Sequence, residues 1–110
     1  MRIIEKDVSK VLLDENRNFS NYLSFLQGEG KHLMNDNVIL DLTEVDLLDL
    51  EDVVRLMPWA EAYRDRKRSF VVVTTAVDIS EVPEELNVVP TLGEAEDLIQ
   101  MEEIERDLEL

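Results

Sequence analysis

The chain has 110 residues, 26 of them acidic and 11 basic, for a formal net charge of −15. That length suits one domain with a single hydrophobic core, and a hydrophobic content of 45% excludes wholesale disorder. The charge disfavours nucleic acid and anionic membranes as partners, and the lack of cysteine removes disulfides, thiol nucleophiles and zinc–thiolate sites.

Met1 leads into Arg2, Glu5, Lys6 and Asp7, which leaves no room for an apolar leader, and no run approaches the roughly 20 apolar residues of a membrane span. A soluble cytoplasmic domain is the expectation. Arg2 to Lys6 and Lys10 to Glu15 are short β-capable runs separated by Asp7-Val8-Ser9, which reads as a hairpin or two adjacent strands. After a turn at Asn16 to Asn18, either Asn18 or Ser20 can cap a helix with Phe19, Tyr22, Leu23 and Leu26 on one face. Gly28 and Gly30 should end it.

Val38-Ile-Leu-Asp-Leu42 is apolar enough to be a central strand buried on both faces. An acidic turn follows, and then Leu50, Val53, Val54, Met57 and Ala60 recur at helical spacing, as the core face of a helix. Pro58 lacks an N–H and must kink that helix or start a second segment. The cluster Arg64, Arg66, Lys67 and Arg68 suits a helix C-terminus, where cations offset the dipole.

Phe70 to Thr75 is a second buried strand. Asp78 to Glu85 is a loop with one helical turn capped by Ser80, and Asn87-Val-Val89 is a short strand ending at Pro90. Thr91 and Glu94 form a capping box, with Glu94 reaching back to the Thr91 N–H, for a helix that buries Leu92, Ala95, Leu98 and Ile99. Beyond Met101 the acidic sequence is expected to fray or to reach a partner. The order implies a single α/β domain: a mixed sheet of four to five strands with parallel crossover units, packed by three to four helices.

The chemistry-bearing residues are sparse. His32 is the only histidine, so histidine-based metal centres cannot assemble within this chain. The acids at positions 41, 44, 46, 49, 51 and 52 do not follow the alternation of a calcium loop, since Leu48 and Leu50 interrupt them. Three glycines and no Gly-x-x-x-x-Gly-Lys pattern leave no phosphate-cradling loop. No catalytic residue, metal ligand or cofactor is assigned. Met57, Trp59 and Tyr63 around Pro58 suit core filling, and an aromatic–Met patch of this kind also suits a binding surface.

From Asn37 onward the chain resembles the STAS domain family of anti-sigma-factor antagonists and sulfate-transporter tails. Val38-Ile-Leu-Asp-Leu-Thr43 matches that family's strand and Glu44 to Leu48 its spacer. Asp49-Leu-Glu-Asp-Val53 matches its helix start, and Val88 to Leu98 its final strand and capped helix. The resemblance implies a non-enzymatic regulatory interaction domain. In regulatory members a serine after the motif aspartate is phosphorylated by a partner kinase. Here Leu50 and Glu51 occupy the equivalent positions and Asp52 replaces a glycine, so that switch is not expected.

The expected binding surface is Asp46, Asp49, Leu50, Glu51, Asp52 and Arg55, facing a protein with a basic or mixed surface. The plainest role for Asp49, Glu51 and Asp52 is to stabilise the first turn of a helix. Two alternatives remain: a small-ligand or cation sensor using the acidic turn 46–52, and a receiver-like phosphoacceptor domain using Asp14, Asp41 and Thr74. Only 27 residues separate Asp14 from Asp41, too few for the helix, strand and helix a receiver needs there. Homodimerisation through the last helix requires Ile104 and Leu108 to be exposed in the monomer.

Overall fold

The computed structural model describes residues 1–109. Two strands open the chain, β1 (Arg2–Glu5) and β2 (Lys10–Leu13), followed by helix α1 (Phe19–Gln27) and a 3₁₀ segment (Glu29–Asn35). Then come β3 (Val38–Asp41), α2 (Leu50–Val54), α3 (Met57–Asp65) and β4 (Phe70–Val73). A 3₁₀ turn (Ile79–Glu81), β5 (Asn87–Val89) and α4 (Leu92–Leu108) complete the described residues. The result is the expected α/β domain, a five-stranded mixed sheet with four α-helices.

The sheet order is β1-β2-β3-β4-β5, with β1 antiparallel to β2 and the other pairs parallel. Strands that advance in one direction through right-handed crossovers place every connecting helix on the same face. Leu12, Leu40, Val72 and Val88 accordingly point to a first core shared with α1, α2 and α3 through Tyr22, Leu26, Val53, Leu56 and Tyr63. Their strand neighbours Val11, Ile39, Val71 and Val73 face the other way. Helix α4 covers that second face with Ala95 and Ile99. Val38, Ile39 and Leu40 are fully buried, because β3 sits between the two layers.

Local details differ from the sequence reading in instructive ways. Asn18, not Ser20, caps α1: its Oδ1 accepts the Ser20 N–H at 2.9 Å. Asp78, not Ser80, caps the turn before β5 and accepts from both Ser80 N–H and Ser80 Oγ. An aspartate or asparagine reaches the N–H two residues on, whereas the following serine already lies inside the turn. Gly28 ends α1 as expected, and the chain then continues as a 3₁₀ segment. At Gly30 a Cβ would lie 2.8 Å from both the Phe25 ring and the Phe25 carbonyl oxygen, so only glycine fits.

Pro58 starts a second segment: α2 is a five-residue helix, and α3 begins at Met57 with the proline in its first turn. The buried stripe across both is Val53, Leu56, Ala60 and Tyr63, rotated from the expected face, so Leu50 is half-buried and Val54 exposed. At α4 the Thr91 Oγ1 accepts the Glu94 N–H at 3.1 Å, while the Glu94 carboxylate meets the Thr91 hydroxyl rather than its N–H.

Beyond Met101, where the chain is expected to fray or to reach a partner, α4 remains helical to Leu108. A polar clamp at the N-terminal edge of the parallel strands holds it there. Asn37 Oδ1 accepts the Ser69 N–H at 2.8 Å, and Asn37 Nδ2 donates to Val8 O and to Glu103 Oε1. Ser69 Oγ donates to Glu102 at 2.6 Å, and Arg106 donates to Glu103 at 2.7 Å and to Ser69 Oγ at 3.2 Å. The Asn37 amide, reinforced by Arg106, holds the Glu103 carboxyl below its ordinary pKa.

Candidate functional site

The parallel strands end on one edge of the sheet, where α/β folds commonly place their working surface. Asp14 follows β2 there, and burial would raise its pKa. Hydrogen bonds from the Asn18 N–H at 3.0 Å and the Asn21 amide at 2.8 Å outweigh that and hold the carboxyl low. Tyr22 Oη accepts the Asp14 N–H at 2.8 Å and donates to the Asp41 carbonyl at 2.7 Å, which ties α1 to the ends of two strands. Desolvation pushes that phenol up to about 12, so it is a neutral donor at physiological pH. Asp41 itself closes a tight turn by accepting from Thr43 N–H and Thr43 Oγ1. Thr74 Oγ1 accepts the Ala76 N–H. The three residues of a receiver-like reading are therefore each engaged in a local turn.

The segment from Thr43 to Asp49 is pinned along its length. Val45 N–H bonds Leu42 O at 3.1 Å, Asp46 N–H reaches Arg17 O at 3.4 Å, and Leu48 is buried in the first core. Between these anchors stands Leu47, 98% exposed and in the left-handed region at φ 54°. An L-residue there costs about 1–2 kcal/mol, and leucine has no side-chain polar atom to offset it. Leu47 therefore combines an unfavourable backbone conformation with an apolar side chain left in water.

The expected binding residues precede and follow Leu47 in the chain, and three of them are engaged with one another. Asp49 is the N-cap of α2 and accepts the Asp52 N–H at 2.9 Å, while Asp52 Oδ2 accepts the Asp49 N–H at 3.3 Å. Asp52 also pairs with Arg55 at 2.7 Å, and the Arg55 guanidinium lies 5.6 Å from the centre of the Phe19 ring. Asp49, Asp52 and Arg55 thus form one local network that shapes the surface. Asp46 and Glu51 are exposed, and Leu50 is half-buried. The sequence reading passes over Leu47, whose only signal is an apolar residue inside an acidic turn.

Next to Arg55 lies a shallow apolar depression formed by Leu23, Val54, Pro58 and Trp59, with Gln27 at its rim. Met57 and Trp59 pack partly against the first core and Tyr63 is fully buried, so core filling accounts for most of the aromatic–Met cluster. His32 is exposed on the 3₁₀ segment, with Nδ1 on the Glu29 carbonyl. Among the described residues no three His, Asp or Glu side chains are grouped to hold a metal ion. No described helix is long and apolar enough to cross a membrane. No family model matches the chain, and no curated protein matches it.

Proposed function

We propose that this chain is a non-enzymatic regulatory domain of the STAS type that binds a protein partner through the turn and helix start at residues 46–52 together with Arg55. The observation that carries this reading is Leu47, strained and fully exposed in a turn whose neighbours along the chain, Asp46, Asp49 and Glu51, are exposed acids. The strand order and the strand–turn–helix sequence from Val38 to Val53 support the family resemblance. A partner for this surface has an apolar pocket for Leu47 with basic groups around it. Leu50 and Glu51 provide no hydroxyl, so binding is constitutive and not switched by phosphorylation at that point.

The test is affinity capture from an extract of the source cell with the wild type, Leu47→Gly and Glu51→Lys. Both side chains are exposed, so both variants keep the fold, which circular dichroism verifies. The reading expects one reproducible partner, lost with Leu47→Gly and weakened with Glu51→Lys. A partner retained by both variants places the interface elsewhere.

A further inference from the structure

Helix α4 has two apolar faces. Ala95 and Ile99 lie buried against the sheet, while Met101, Ile104 and Leu108 are 59%, 60% and 79% exposed. Their spacing of three and four residues puts them on a single outward stripe, on the opposite side of the helix from the buried pair. Scattered exposed apolar residues are ordinary, but three in register on the last turns of one helix form a seam.

Two further observations identify what fits that seam. The clamp of Asn37, Ser69, Glu102, Glu103 and Arg106 fixes the backbone of these turns from the inner side, which lowers the ordering cost of presenting the stripe. The stripe is bordered by acids: Glu94 and Asp97 precede it, Glu105 lies along one side and Asp107 along the other. The single base of α4, Arg106, is turned inward to Glu103 and Ser69. A second copy of this chain would set acid against acid across the contact. From this complementarity we infer that the outward face of α4 is a docking site for a cationic amphipathic helix of a partner protein. That helix has apolar residues at three- and four-residue spacing and Lys or Arg on both flanks. The site is separate from the surface around Leu47 and does not depend on it.

The probes are two synthetic peptides of about five helical turns. They share Leu and Ile at the same heptad positions and carry either Lys and Arg or Glu on the flanks. Binding is followed by fluorescence anisotropy in about 0.15 M salt. The cationic peptide should bind the wild-type chain, and the double variant Ile104→Ser, Leu108→Ser, which keeps the net charge, should weaken it by about tenfold or more. Val54→Ser, exposed on the opposite layer, should leave binding unchanged. Equal binding by the double variant would reduce the effect to general attraction by an acidic surface and overturn the site. Equal binding of the acidic peptide would overturn the charge argument. A wild-type dimer by light scattering that becomes monomeric in the double variant would assign the stripe to self-association instead.

Discussion

Tyr22 Oη donates to the main-chain carbonyl of Asp41 across 2.7 Å, and the same oxygen accepts the Asp14 N–H at 2.8 Å. One side chain on α1 thereby satisfies backbone groups at the ends of both β2 and β3. Removing the hydroxyl leaves a buried donor and acceptor unpaired, at a cost of about 1–3 kcal/mol. Tyr22→Phe should lower the unfolding free energy by that amount, read as a lower urea midpoint at an unchanged slope. An unchanged midpoint would mean that water replaces the hydroxyl without loss.

The clamp at the opposite edge should govern the second half of α4. Arg106→Ala leaves Glu103 without its cation and Ser69 Oγ with one partner fewer. Amide exchange is expected to accelerate from Glu102 to Leu108 while Ala95 and Ile99 remain protected. Uniform acceleration along the helix would show that α4 opens as one unit.

Acid should act through Glu103 in a defined direction. Its folded-state pKa is depressed, so the unfolded chain binds protons first as the pH falls. The stability it contributes is complete above the unfolded glutamate value of about 4.3 and is lost as pH drops through the lower folded value. Repulsion among the other acids is nearly common to wild type and Glu103→Gln, so it largely cancels between them. The stability gap between the two should therefore shrink from pH 7 to pH 3. A gap independent of pH would refute the linkage.

The glycines provide a matched pair. Gly30→Ala drives a Cβ into the Phe25 ring and carbonyl and should destabilise the fold by about 1–3 kcal/mol. At Gly93, in the first turn of α4, a Cβ meets nothing within 4 Å. Gly93→Ala should stabilise by about 0.5 kcal/mol, since alanine gives up less backbone entropy on folding. Thermal melts of the two variants should move in opposite directions.

Much of the fold was legible because its signals are local. The apolar runs of β3 and β4, the break at Pro58, the glycine end of α1 and the Thr91 cap each depend on residues within a few positions of one another. The acidic turn was equally visible, as were Asp49 and Asp52 as first-turn acids. What escaped notice depends on contacts across the chain. Asn37, Ser69 and Arg106 are about 30 or more residues apart, so no periodicity reveals the clamp that keeps α4 ordered. The Tyr22 hydroxyl spans 19 residues to Asp41. The choice of Leu56 over Leu50 and Val54 for the core was hidden too, because all three are apolar and tertiary packing alone decides which face turns inward. Leu47 was missed for another reason: its backbone conformation leaves no trace in composition.

The central claim is that Leu47 is held in a strained conformation for binding and not for stability. Relieving an αL leucine gains about 1–2 kcal/mol, against about 0.5–1 kcal/mol for the added freedom of glycine when unfolded. Leu47→Gly should therefore be as stable as the wild type or slightly more so. A photo-crosslinker placed at residue 47 in living cells, with the same group at exposed Val8 on the far edge of the sheet as control, tests the claim most directly. A discrete protein adduct from position 47 and none from position 8 is the expected result. No adduct at 47, or the same adduct from both positions, would contradict it.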